Sequence, residues 1–123
     1  MNFDILRSYL ADKIGSKEDL PFGPDTVVYK VRDKMFCLIA WRENPLRITL
    51  KCDPDLALVL RSQYEVIIPG YYMNKDHWNT LILDGTIPEE QVLEMIDESY
   101  KLVVSGLKQA DRQALLELGL DEN

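Results

Sequence analysis

The sequence is poor in the residues from which most catalytic and metal centres are built. Its 123 residues include one histidine and two cysteines, with six glycines and six prolines. One histidine cannot supply a multi-histidine metal site, and two cysteines cannot complete a structural zinc site. A glycine-rich phosphate loop and a nucleophile elbow are also missing from the sequence. We therefore expect no enzymatic activity, no metal and no cofactor.

Long apolar runs are missing as well. No segment approaches the roughly 18 consecutive apolar residues of a membrane span, and the N-terminus lacks the basic-then-apolar pattern of a secretion signal. We expect a cytoplasmic protein without membrane association. The composition is 46% hydrophobic, which is close to the globular average and sufficient for one core. Residues 1–123 are therefore expected to form a single domain, and the protein is expected to be a monomer.

Basic residues are outnumbered by acidic ones, 14 against 21, for a net charge of −7. This balance argues against a protein that coats nucleic acid by bulk attraction. The acid is concentrated near the C-terminus: residues 86–123 carry three basic and nine acidic side chains, whereas residues 27–85 carry eight basic and seven acidic. The middle segment is therefore compatible with a local basic face.

Apolar spacing and turn residues divide the first half of the chain into a helix and three strands. Apolar residues three and four positions apart predict an N-terminal helix that ends at Gly15. Residues 16–25 include two prolines and are expected to form an irregular loop anchored by Leu20 and Phe22. Three strands are predicted next, joined by connections short enough to make them antiparallel neighbours, at residues 26–31, 35–41 and 46–52.

The second half predicts three helices and two strands. Asp53 and Pro54 are typical of a helix N-terminus, and the helix is expected to bury Leu56, Val59 and Leu60. Residues 86–89 fit a capping box for a long helix, and a short terminal helix is expected around residues 112–118. The predicted strands cover residues 65–68 and 78–83, with an irregular or strand-like stretch between them at residues 71–77.

The predicted order α-βββ-α-ββ-α, followed by the short terminal helix, indicates an α+β fold. We expect a two-layer α/β sandwich with an antiparallel sheet. Cys37 and Cys52 lie in apolar strand patterns and are interpreted as small core residues without a disulfide. A Cys–His dyad with His77 stays open at this stage.

Two groups of residues are candidate nucleic-acid contacts. The first follows the Pro69-Gly70 turn and combines amides, a cation, an imidazole and an aromatic ring. Lysine can contact phosphate, the ring can stack on an unpaired base, and an amide can bind a base edge. The alternative is that the tryptophan is core and the polar side chains satisfy backbone groups of the turn. This first group consists of Asn74, Lys75, His77, Trp78 and Asn79.

The second group is a basic row on the predicted sheet. Arg47 and Lys51 alternate with apolar residues and therefore share one strand face, and Lys34 lies in the neighbouring hairpin. Such a face is suited to phosphate contacts. The alternative is an ordinary solvated sheet face on which charge prevents aggregation.

Four segments of this sequence resemble the MmcQ/YjbR family. They are Pro21–Asp25, Lys34–Phe36, Leu50–Pro54 and, most specifically, the twelve-residue segment Pro69–Thr80. The resemblance covers about residues 5–107. It departs from the family pattern at Tyr72, where the family often has histidine.

The resemblance implies a bacterial protein with a two-layer α/β fold related to frataxin-like and secretion-chaperone-like architectures. Members of the family are described as having a DNA-binding "double wing" motif, by structural similarity to a phage transcription factor's DNA-binding domain. We therefore expect DNA as the partner. The alternative function is a protein-binding adaptor or chaperone-like module that does not bind nucleic acid.

Overall fold

The computed structural model describes residues 1–70 and 72–121. Within this part of the chain, four helices and six strands are formed. In chain order they are α1 Phe3–Ala11, β1 Ser16–Asp19, β2 Val27–Val31, β3 Lys34–Ala40, β4 Leu46–Lys51, α2 Pro54–Gln63, β5 Ile67–Pro69, β6 Trp78–Leu83, α3 Glu89–Ser105 and α4 Gln109–Glu117.

The six strands form one antiparallel sheet in the order β1-β2-β3-β4-β6-β5. The predicted α+β class, the antiparallel sheet and the order of elements are confirmed. The central strand β4 shows the expected alternation, with Ile48 and Leu50 buried and Arg47 exposed between apolar neighbours. Successive side chains of a strand point to opposite faces of the sheet, so a strand covered on one face buries every second residue.

Strand β1 is an addition to the predicted elements. Residues 16–25 were expected to be irregular, but Ser16–Asp19 pair with β2. The strand is held by side chains distant in sequence: Glu18 accepts hydrogen bonds from Arg7 and from the Tyr29 hydroxyl. The expected anchors of the loop were wrong, because Leu20 and Phe22 are both more than half exposed.

All four helices bury their apolar side chains against the same face of the sheet. The core joins Leu6 and Leu10 of α1, Ile96 of α3 and Leu115 of α4 to the inward side chains of the strands. Helix α3 contributes most, since it crosses β3 and β4. No helix of the described residues packs on the opposite face, which carries Leu38, Thr49 and Thr80 among its side chains. We call this the open face.

Ser99 of α3 joins the helix to the sheet at a break in the strand ladder. The register between β2 and β3 shifts, so Phe36 is an extra residue with no partner on β2. The β3–β4 ladder correspondingly stops at Cys37 and Leu50. One residue further, the Ser99 hydroxyl accepts from Lys51 N (2.9 Å) and donates to Phe36 O (2.6 Å). The hydroxyl thus takes the place of the hydrogen bond that Lys51 N and Phe36 O would form if the β3–β4 ladder continued.

Helix α2 begins as predicted but buries a different face. The Asp53 side chain caps it and Pro54 occupies its first turn. The expected buried stripe was wrong at two of its three positions: Leu60 packs against the core, but Leu56 and Val59 are exposed and Ala57 is the buried residue. Ala57 is small and lies where the helix passes close to β6, whose Asn79 side chain donates to Ala57 O. The close contact between α2 and β6 therefore accounts for burial of the small Ala57 side chain in place of Leu56 or Val59.

Two helix ends also differ from the sequence prediction. Helix α1 ends at Ala11, before Gly15. The capping box at residues 86–89 was wrong, because α3 begins after Pro88 and its first turn has no side-chain cap. The Thr86 amide instead donates to the Asp84 carboxylate, so this segment is a turn that precedes the helix.

No helix within residues 1–70 and 72–121 has both the length and the apolar content needed to cross a bilayer.

Replacing Ser99 by alanine is expected to destabilise the protein by about 1–3 kcal/mol, because the Lys51 N–H and the Phe36 carbonyl both lose their partner. Urea unfolding would show a lower midpoint with an unchanged slope. The matched control is Ser105→Ala in the last turn of the same helix, where the exposed hydroxyl bonds only Leu102 O. We expect that control to change stability by less than about 0.5 kcal/mol. Equal effects of the two substitutions would show that the Ser99 bridge is unimportant.

Candidate nucleic-acid interface

The structure brings Arg47, Lys51 and Trp78 together on the open face. Arg47 pairs with Ile82 of β6, and Lys51 pairs with Trp78. Between these two pairs lie Thr49 and Thr80, whose hydroxyls are 2.9 Å apart and hydrogen bonded. The basic row predicted from alternation in β4 therefore exists as a surface feature, at the centre of a helix-free sheet face.

The two cations of this row are not neutralised by neighbouring carboxylates. Within the described residues, ion pairs engage six other cations, including Lys30 with Asp19 and Arg42 with Asp25. Arg47 and Lys51 take part in none of them. Their charges are directed to solvent, or to whatever binds the open face.

Lys34 lies elsewhere. It follows a tight turn in which Arg32 and Asp33 have positive φ, and its register partner is Val31. Val31 is buried on the helix side of the sheet, so Lys34 belongs to that side. It is exposed at the hairpin end but does not extend the Arg47–Lys51 row.

The segment between β5 and β6 is organised by short-range hydrogen bonds. Asn74 accepts from the Asp76 amide through its side chain (3.0 Å) and from the His77 amide through its carbonyl (3.0 Å). Asn74 therefore satisfies backbone groups of the turn, as the alternative interpretation expected. Lys75 and His77 are exposed beside it, and His77 O accepts from Cys52 N. Tyr71, which belongs to the stretch 71–77 expected to be irregular or strand-like, lies outside the described residues.

Gly70 begins this segment at a position where a side chain would be crowded. A Cβ at Gly70 would lie 3.0 Å from Trp78 Cβ and 3.1 Å from Trp78 O. The Gly70 amide donates to that same Trp78 carbonyl (2.9 Å). The close approach explains the glycine after Pro69 without invoking a ligand.

Asn79 is not available as a base contact. It is 1% exposed and points to the helix side of the sheet, where its Oδ1 accepts from Arg61 Nε (2.7 Å). The expectation that Asn79 binds a base edge therefore does not hold in this structure. Trp78 is 8% exposed, so its ring is not displayed for base stacking either.

Arg61 was missed from the sequence and is central to this region. Besides Asn79, its guanidinium donates to Lys75 O and to Trp78 O. Arg61 lies on α2, 18 residues before Asn79, and nothing in the local pattern links the two. The sequence contains no specific signal for this role, because an arginine in the last turn of a helix is commonly placed there by the helix dipole alone.

The two cysteines lie in surroundings that oppose ionisation of their thiols. Both are free thiols. Burial raises the pKa of Cys37 strongly, and burial together with the negative charge of Asp53 raises the pKa of Cys52. Neither thiol is therefore activated as a nucleophile, and Cys52, which is half-buried, is the more accessible of the two. Among the described residues, no three His, Cys, Asp or Glu side chains are grouped so that they could hold a metal ion.

The comparisons with known proteins agree with the fold. The YjbR family profile matches residues 11–102. This chain belongs to the YjbR family. It is 32% identical over 118 residues to the uncharacterized protein YjbR of Escherichia coli (strain K12), covering 96% of this chain and all of that protein. It is 38% identical over 93 residues to the uncharacterized protein YbdF of Escherichia coli O157:H7, covering 76% of each.

Solved structures of relatives show the same architecture as this YjbR-family chain. The crystal structure of Deinococcus radiodurans protein DR2400, with a DUF419 domain, superimposes with a TM-score of 0.90 at 39% identity, covering 99% of this chain and 91% of that one. A Pseudomonas syringae crystal structure gives a TM-score of 0.71 at 30% identity, covering 83% and 98%.

Arg61→Ala is expected to destabilise the fold by about 1.5–3 kcal/mol, since the hydrogen bonds of a buried amide and two carbonyls to a charged donor are lost. Amide exchange at residues 75–79 should accelerate in the same variant. The matched control is Arg42→Ala, which removes an exposed guanidinium paired with Asp25 and should cost under about 0.5 kcal/mol. Unchanged exchange at residues 75–79 would contradict the positioning role of Arg61.

Proposed function

We propose that this protein binds DNA through the open face of its sheet. Arg47 and Lys51 contact phosphates, and Lys75 and His77 extend the contact at the margin. The observation that carries the proposal is that Arg47 and Lys51 share a helix-free surface and have no ion-pair partner among the described residues. It is a proposal for a binding protein, not for an enzyme.

The overall charge of −7 is compatible with this function because of where the acid lies. Helices α3 and α4, on the far side of the sheet, carry seven acidic side chains, namely Glu89, Glu90, Glu94, Asp97, Glu98, Asp111 and Glu117. A helix is about 10 Å across, and the Debye length is about 8 Å at physiological ionic strength. Carboxylates on the outer surface of the helix layer are therefore largely screened from a phosphate at the open face.

The contact is expected to be with the sugar–phosphate backbone, without sequence preference. Two side chains suited to base recognition do not reach the open face: Trp78 is buried, and Asn79 binds Arg61 on the other side of the sheet. Lysine and arginine contacts to phosphate position a protein but do not specify a sequence. Two or three such contacts also imply weak binding with a modest dependence on salt.

The salt dependence of duplex binding tests this proposal. With two or three phosphate contacts, the log–log slope should be about −1.8 to −2.7, a loss of about 12- to 42-fold in affinity between about 50 and 200 mM salt. Arg47→Ala and Lys51→Ala should each weaken binding and make the slope shallower by about one. The measurement is fluorescence anisotropy with labelled duplexes of two unrelated sequences, which should bind equally.

Lys108→Ala is the matched control, because Lys108 is an exposed cation just before α4, on the helix side. It should leave both affinity and slope unchanged. No binding at about 50 mM salt, or equal losses in the Lys108 and Lys51 variants, would refute the proposal.

A further inference from the structure

Helix α2 displays more apolar surface than its packing requires. Its sequence between Asp55 and Arg61 is entirely apolar, yet Ala57 is the only residue of the helix that is buried. The exposed fraction is 43% for Leu56, 63% for Leu58 and 48% for Val59. Single exposed apolar residues are ordinary, but two leucines and a valine exposed on one short helix leave it with little apolar burial, and exposed apolar surfaces are typical of interaction sites.

This surface continues into a groove between α2 and α3. The groove encloses about 240 Å³ and is open to solvent. Its apolar lining comes from the sheet and both helices, and consists of Leu50, Leu56, Leu60, Leu81, Met95 and Leu102. The volume is below the range of about 300–1,000 Å³ typical of small-molecule sites. It is better matched to a few side chains of a larger partner, whose remainder would cover Leu58 and Val59.

The rim of the groove is acidic. Asp53 at the start of α2, and Glu94 and Glu98 on successive turns of α3, line it. Glu98 has a distant, exposed partner in Lys101 at 3.6 Å. Lys51 is the cation among the lining residues, and its register directs its side chain to the open face. The apolar groove is therefore bordered by negative charge on both helices.

The negative charge at the rim distinguishes between two possible occupants of the groove, a second copy of this chain and a basic partner. A second copy of this chain docked by two-fold symmetry would bring the same patch against itself. Asp53, Glu94 and Glu98 would then face like charges, which disfavours a dimer through this surface. A partner with apolar side chains on one face and basic side chains beside them satisfies both features of the groove.

We propose that the α2–α3 groove binds a basic amphipathic helix of a partner protein. Leu56, Leu60 and Met95 receive its apolar side chains, and Asp53, Glu94 and Glu98 pair with its lysines or arginines. The groove lies on the helix side of the sheet, opposite the open face. This inference is therefore independent of DNA binding, and each surface can be tested without the other.

A fluorescent synthetic peptide of about 18 residues, made of leucine, alanine and lysine with leucines on one helical face, is the probe. The full chain should bind it at physiological salt. Two further peptides are controls: one has glutamate in place of lysine, and one has the same composition scrambled so that the apolar face is lost. Each should bind at least about tenfold more weakly, which corresponds to about 1.4 kcal/mol. Equal binding of the lysine peptide and its scrambled form would overturn the proposal.

Variants of the chain separate groove binding from general attraction to an acidic protein. Glu94→Lys with Glu98→Lys should weaken binding about tenfold or more. Glu43→Lys with Glu117→Lys makes the same change in net charge at exposed sites that do not line the groove, and should leave affinity within about twofold. Leu56→Asn should also weaken binding, whereas Leu118→Asn, at another exposed leucine outside the groove, should not. Equal losses in both charge-reversal variants would overturn the proposal.

The unmodified chain provides a second readout that does not depend on the folding of any variant. Cys52 lines the groove and is half-buried, whereas Cys37 is fully buried. Bound peptide should slow alkylation of Cys52 by iodoacetamide, and the scrambled peptide should not. Binding without protection of Cys52 would place the peptide elsewhere and refute the groove. Peptide-independent dimers that disappear in the Leu56→Asn variant would instead identify a second copy as the occupant and overturn the proposal.

Discussion

The hydroxyl of Ser99 holds helix α3 against the sheet at the point where β3 and β4 separate. The β3–β4 ladder stops beside the bulge at Phe36, and Ser99 supplies partners for the Lys51 N–H and the Phe36 carbonyl just beyond its end. A buried N–H or C=O without a partner is costly, so the bulge is compatible with the fold only when this helix is in place. The bridge thereby couples the helix layer to the central strands.

The two sides of the sheet consequently differ in chemistry. With α3 fixed on one side, the alternation of β4 sends Ile48 and Leu50 toward the helices and Arg47 and Lys51 toward the open face. The acidic side chains of α3 are carried on the opposite side, where Glu94 and Glu98 border the α2–α3 groove. A chain with a strongly negative total charge therefore offers an uncompensated basic row on one side and an acidic, apolar groove on the other.

Features encoded over a few residues were predictable from the sequence. The alternation in Leu46–Lys51 and the Asp53 cap of α2 depend on neighbouring positions, and the structure confirms both. Features that need partners far apart in the chain were not predictable. Strand β1 depends on pairing with β2 and on the hydrogen bonds of Glu18, and the burial of Asn79 depends on Arg61. The outward face of α2 was missed for the same reason, because its buried side depends on a contact with β6, where Asn79 donates to the Ala57 carbonyl.

The most direct test of the open face as the binding surface is a two-dimensional amide NMR titration of the full chain with a short DNA duplex at about 50 mM salt. The largest shifts are expected at residues 47–51 and 78–82, with smaller ones at residues 75–77. The amides of α4 and of the outer turns of α3 should be unaffected, because they lie behind the sheet. Shifts concentrated in α2 and α3, or none at saturating DNA, would contradict the assignment of DNA binding to the open face.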